Sequence, residues 1–170
     1  MITDLDQVKR LGEQQRHENE LFRRFVKMRR HSDRTLRQLA LKVEDQIDCR
    51  ACANCCRVTT TQVTERDVKR LAAFLRRPVQ DVVAEFTVES TDEGLILRRT
   101  DDGTGPCVFL DGNDCTVYDA RPDTCQRFPH LVRGQGSLVS RMWQFIDRAV
   151  YCPIVYNSME AFKEAMGFRR

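Results

Sequence analysis

Along the first 48 positions the apolar residues recur at helical intervals. Leu5, Val8 and Leu11 step by three, and Leu21, Phe22, Phe25 and Val26 follow. Leu36, Leu39, Val43 and Ile47 then keep the i, i+3, i+7, i+11 spacing of one helix face. Thr3 is placed to cap the first helix, and Ser32 or Asp33 the last, after a break near His31. The segment reads as a helical hairpin or one long bent helix. Further on, Thr64-Glu-Arg-Asp67 has the spacing of a capping box, ahead of a helix bearing Val68, Leu71, Ala72 and Leu75. Pro78 stops that helix and opens a short one with Val82, Val83 and Phe86. From Thr87 the pattern changes. Leu95-Ile96-Leu97 predicts a short strand, and Val108 to Cys115 predicts two more around an Asp-Gly-Asn turn, where Gly112 and Asn113 tolerate positive φ. Ser158 is expected to cap a last amphipathic helix with Phe162 and Met166.

Composition divides the chain at the same point as the periodicity. Residues 1–48 carry eleven Lys/Arg and nine Asp/Glu but no Cys and no Pro, whereas all eight Cys and all five Pro lie beyond them. The expected organisation is a charged helical segment at 1–48, a cysteine-bearing domain at 49–157 and a C-terminal helix at 158–170 packed on it, as one folding unit. A length of 170 residues suits one domain, and 41% hydrophobic residues support a lean core. The N-terminal Met-Ile-Thr-Asp-Leu-Asp lacks the basic-then-apolar order of an export signal. The uncharged apolar run at 149–156 is far short of the ~20 residues a membrane helix needs. A cytoplasmic protein with no membrane partner is expected.

Eight cysteines in 170 residues are too many to be incidental and too few for a disulfide-built scaffold. In a reducing compartment clustered thiols bind metal or do redox chemistry more often than they form structural disulfides. Four stand together as Cys49-Arg-Ala-Cys52-Ala-Asn-Cys55-Cys56, and four are dispersed at Cys107, Cys115, Cys125 and Cys152. Two successive C-x-x-C steps turn Cys49, Cys52 and Cys55 toward a single centre. Bacterial ferredoxins use that step with a distant Cys-Pro as the last ligand, for which Cys152-Pro153 is the formal parallel. Cys56 points away from Cys55, which suggests a second centre shared with some of Cys107, Cys115 and Cys125. One centre or two satisfy the count. Four disulfides, buried free thiols and a structural Cys₄ zinc site are the competing readings. Zinc sites usually pair two separated C-x-x-C knuckles, so one triple step followed by single cysteines leans toward an iron–sulfur cluster.

Cys49-x-x-Cys-x-x-Cys-Cys56, Pro106-Cys-Val-Phe-Leu110, Cys115-Thr-Val-Tyr118, Arg121-Pro-x-x-Cys125, Phe128-Pro129 and Cys152-Pro153 occur in that order. Together they resemble the CxxCxxCC (YkgJ-like) cysteine-cluster family, described as chelating zinc or iron. The resemblance spans about Asp48 to Pro153 and implies that all eight cysteines are metal ligands. It implies a metal-binding module and no particular reaction. A flagellin lysine methylase shares the cysteine pattern, which implies a methylase-like enzyme dependent on an iron–sulfur cluster as one alternative. This chain is much shorter and shows no recognisable further catalytic region.

Around the thiols, Pro122 fixes the turn that returns Cys125, and Arg121 is placed to donate to a thiolate or a nearby carbonyl. Tyr118 braces the same loop. His130 reads as packing or support behind the ligands, while His17 and His31 are expected to face solvent. The stretch from Arg23 to Arg37 holds seven basic residues and one acid, Asp33, and presents a basic stripe suited to phosphates or an acidic partner. Nearby Glu13, Glu18 and Glu20 favour an ordinary solvated face instead. No nucleophile elbow, Walker loop, zinc-protease helix or dinucleotide glycine pattern occurs. The expected fold is mainly α with a small irregular or β cysteine-rich core, an α+β metal-binding domain wrapped by helices. The expected function is an accessory iron–sulfur module, leaning to a 4Fe-4S cluster, in redox, sensing or metal handling. The alternatives are a structural zinc protein that binds a partner or nucleic acid, and the methylase-like enzyme; nothing demands an enzyme.

Overall fold

The computed structural model describes residues 1–29 and 32–169. The break expected near His31, the solvent-facing His31 and the basic Arg30 therefore lie outside the described residues. The chain forms two compact units, one from residues 1–48 and 128–170 and the other from residues 49–127. These boundaries differ from those composition suggests. The first 48 residues are too charged to close a core alone, and they do so with the apolar C-terminal segment.

In the first unit, α1 (Leu5–Gln14), α2 (Arg16–Lys27) and α3 (Asp33–Glu44) come from the charged segment. Their inward faces, with Val8, Phe22, Val26, Leu36, Ala40 and Val43, bury against Met142, Phe145, Ile154, Met159 and Phe162 of the C-terminal segment. Leu21, one of the periodic apolar residues, is exposed. Asp4, not Thr3, caps α1 by accepting from the Gln7 N–H at 2.8 Å. Ser32 caps α3. The last helix is capped at Cys152 and not at Ser158, six residues earlier than expected, because Pro153 occupies its first turn, where a missing N–H costs nothing. Ser158 is therefore buried mid-helix.

Gly12 sits at a close backbone approach in this unit. A Cβ built there would lie 2.6 Å from the Ala149 carbonyl oxygen and 2.7 Å from the Val150 Cα. Helix propensity alone predicts that Gly12→Ala stabilises by about 1 kcal/mol. Overpacking against rigid backbone costs about 1–3 kcal/mol, so Gly12→Ala is expected to lower the Tm in thermal unfolding.

Within the basic run Arg24, Lys27, Arg29 and Arg34 are exposed, and Arg23 and Arg37 are half-buried. Arg23 pairs with Glu20 at 3.0 Å, and Arg29 stands 4.3 Å from the centre of the Phe25 ring. Arg37 donates to the carbonyls of Leu131, Val132, Gly134 and Gly136, at 3.3, 2.7, 3.2 and 2.5 Å, and so ties down the loop before the next helix. His17 is exposed.

In the second unit the cysteine quartet occupies two short helices, α4 (Cys49–Cys52) and α5 (Asn54–Val58). The capping box forms as its spacing predicts at the start of α6 (Glu65–Leu75), and α7 (Val79–Phe86) follows Pro78. The antiparallel pair β1 (Thr87–Ser90) and β2 (Gly94–Leu97) runs in register from Thr87↔Leu97 to Ser90↔Gly94. A smaller pair, β3 (Leu110–Asp111) and β4 (Asp114–Cys115), flanks the Gly112-Asn113 turn. The helix α8 (Asp123–Arg127) closes the unit. Val63, Val68, Leu71, Ala72, Val82, Leu97, Phe109, Val117 and Ala120 make its apolar core. Among the described residues the chain is thus mainly helical with two small two-stranded sheets. Among the described residues no helix is long and apolar enough to cross a membrane.

Candidate metal centre

The quartet folds as two helical turns joined at Ala53, whose φ of 46° is left-handed. The Ala53 N–H donates to the Cys49 carbonyl at 2.9 Å, and the Cys56 N–H to the Ala53 carbonyl at 3.1 Å. That reversal separates the first C-x-x-C from the Cys55-Cys56 pair. Cys49 is exposed, while Cys52, Cys55 and Cys56 are half-buried.

Cys107, Cys115 and Cys125 are also half-buried, and each arrives on a different element. The Cys107 N–H donates to the Cys56 carbonyl at 2.8 Å, which fastens the segment before β3 to α5. Cys115 ends β4, and Cys125 lies in α8. Cys107 feels the charges of Cys56 and Cys115; Cys115 feels that of Cys56; Cys125 feels those of all three. Every one of the four thiols thus interacts electrostatically with the other three.

Burial pushes the Cys107 thiol up to about 11 and the Cys125 thiol to about 12, and it raises Cys115 as well. Cys56 goes the other way, to about 7, chiefly through a hydrogen bond from Cys55 and with help from the charges of Arg57 and Arg121. Four soft sulfur donors that feel one another's charge, three of them costly to ionise without a cation, are a donor set of the chemistry that zinc or iron prefers. Among the described residues no group of three or more Cys, His, Asp or Glu side chains stands close enough to hold a metal ion.

A family model matches residues 48–153, under the description "putative zinc- or iron-chelating domain". The chain belongs to the CxxCxxCC family. No solved structure matches it. The CxxCxxCC match starts one residue before Cys49 and ends at Pro153, so it takes in all eight cysteines. Cys152 and His130 belong to the helical unit. Cys152 is buried at the N-cap of the last helix (Pro153–Ala165), its N–H bonded to the Arg148 carbonyl at 2.8 Å. His130 has a φ of 69°, and its carbonyl accepts from Arg141 at 2.6 Å.

Three arginines brace the CxxCxxCC thiols through carbonyls. Arg57 donates to the carbonyls of Cys52 and Gly112 at 3.2 and 2.7 Å and to the Asn113 Oδ1 at 2.5 Å. Asn113 in turn donates to the Ala51 carbonyl at 2.8 Å, so the Asp-Gly-Asn turn grips both halves of the quartet. Arg99 donates to the carbonyls of Arg57 and Thr59 at 2.5 and 2.7 Å. Arg121 donates to the Tyr118 carbonyl at 2.9 Å, and its guanidinium lies 3.5 Å from the centre of the Tyr118 ring. Its charge still reaches both Cys56 and Cys115, helping to lower the first and offsetting part of the burial that raises the second.

Asp67 fixes the approach of Cys125. Its carboxylate accepts from the N–H and hydroxyl of Thr64 at 2.9 and 2.7 Å, from Arg70 at 2.6 Å and from the Asp123 N–H at 2.9 Å. The capping box thereby holds the first residue of α8, two positions before Cys125. Sequence reading finds the box but not this second use, because the partner lies 56 positions away. Arg57 and Arg99 escape a reading of the sequence for the same reason, and the one local signal is that Arg57 adjoins Cys56.

Proposed function

We propose that residues 49–127 hold an iron–sulfur centre on Cys56, Cys107, Cys115 and Cys125, and that the protein is a redox, sensing or metal-handling accessory module. The mutual interaction of these four thiols carries the reading. They come from four separate segments, unlike the paired knuckles usual for structural zinc. Arginine charge beside an all-thiolate centre offsets its negative charge and tunes its potential. Cys49, Cys52 and Cys55 offer a second donor set on the adjoining turns. When bound, a cluster would supply one-electron exchange; the chain's own residues orient the sulfurs and shield them from water.

Full-length protein purified without oxygen is expected to contain iron and acid-labile sulfide and to show broad thiolate-to-iron absorption. Stoichiometric zinc in a colourless sample would overturn the iron reading.

A further inference from the structure

Cys125 has a hydroxyl at its sulfur. Thr61 Oγ1 lies 3.7 Å from Cys125 Sγ, within hydrogen-bonding reach for sulfur. The aim of this side chain follows from the backbone. Residues 61–63 run extended beside β2, with the Leu97 N–H bonded to the Thr61 carbonyl at 2.8 Å and the Val63 N–H to the Leu95 carbonyl at 2.9 Å. Extended backbone sends alternate side chains to opposite faces. Val63 enters the apolar core, Gln62 is exposed, and Thr61 takes the inward face beside Val63. Of the three successive threonines at 59–61, Thr60 is exposed and the Thr59 hydroxyl is spent on the Cys55 carbonyl at 2.8 Å.

We infer that Thr61 is a positioning residue of the metal centre, its hydroxyl donating to the Cys125 sulfur once that sulfur is a metal-bound thiolate. This rests on the ligand set proposed above. A bound thiolate has no proton to give, so the hydroxyl must be the donor. Donation fixes the direction of the sulfur and withdraws electron density from it, and losing such an outer partner typically costs about 10–100-fold in metal affinity.

The test uses the full chain, stripped of metal by a chelator and titrated with cobalt(II), whose thiolate charge-transfer band reports sulfur ligation whichever metal is native. Thr61→Val keeps the shape and removes the donor; Thr61→Ser keeps the donor. Thr61→Val is expected to bind cobalt about tenfold or more weakly, with a shifted charge-transfer band, while Thr61→Ser stays close to the parent. Equal affinities and superimposable bands for Thr61→Val and the parent would overturn the role of Thr61 and leave the thiolate centre standing. A Thr61→Ser as weak as Thr61→Val would also overturn it, since shape rather than donation would then matter. Absence of any thiolate-to-cobalt band in the parent would overturn the centre itself, and the inference with it. Circular dichroism of each variant confirms that the helices are retained.

Discussion

Cys125→Ser is expected to weaken metal binding on the order of a hundredfold or more, while Cys49→Ser retains most of the metal. The contrast follows from placement. Cys125 is in electrostatic reach of Cys56, Cys107 and Cys115, its thiol is pushed up to about 12 by burial, and Thr61 and Asp67 hold its surroundings. Serine replaces a soft, polarizable sulfur by a hard oxygen that is not ionised at neutral pH, so neither iron nor zinc keeps its preferred donor. Cys49 is exposed to solvent at the start of α4. Elemental analysis of the two variants after equal dialysis checks the ordering. Loss of metal from Cys49→Ser with retention in Cys125→Ser would reassign the ligands to the triple C-x-x-C step. Because metal binding and folding share free energy, about 10–16 kcal/mol for small structural zinc sites, Cys125→Ser should also unfold at a lower temperature.

Asp67→Ala is expected to cost about 3–5 kcal/mol, the range for breaking a buried ion pair and leaving its partners unsatisfied. The Asp67 side chain is only 2% exposed. Its removal strands the Thr64 and Asp123 N–H groups and takes from Arg70 one of its two carboxylate partners, leaving it Asp123 and the Arg121 carbonyl. The sign of the pH dependence is fixed by the same contacts. Burial pushes the carboxyl up, but the two N–H donors, the Thr64 hydroxyl and the Arg70 charge outweigh it and hold it below its ordinary value of 3.8. A depressed carboxyl stabilises the fold at every pH above that ordinary value, and the contribution disappears as pH falls through the native value. Denaturant titrations at neutral pH and at successively lower pH should therefore show the gap between parent and Asp67→Asn closing in acid. A gap that is constant with pH would mean that the charge of Asp67 contributes nothing and that the hydrogen bonds alone matter. Since Asp67 positions α8, metal affinity should fall in Asp67→Ala as well.

What was legible in the sequence was local. The capping box at Thr64 and Asp67, the Asp-Gly-Asn turn before Cys115, the helix after Pro78 and the strand at 95–97 each depend on residues within a few positions of one another. The start of the last helix was misplaced because Ser158 is a good cap in isolation, yet the turn containing Pro153 is buried against apolar neighbours and extends the helix backward. Arg37 looked like one more solvated cation until loop carbonyls 94 to 99 positions away converged on it. The second strand of the larger sheet, β1, gave no alternating pattern because Thr87 alone of its residues is fully buried.

By itself the sequence determined the CxxCxxCC family, the mainly helical class and the presence of a thiol-rich donor set, since each is written in residue identity and short spacing. Only the tertiary structure decided that residues 128–170 close the core of the charged N-terminal helices, and that Cys56 keeps company with Cys107, Cys115 and Cys125. The reason is physical. Helical periodicity and caps act over one or two turns, whereas bringing Cys56 into electrostatic range of a thiol 69 positions away requires a buried core, an arginine-held turn and a carboxylate that bridges two helices.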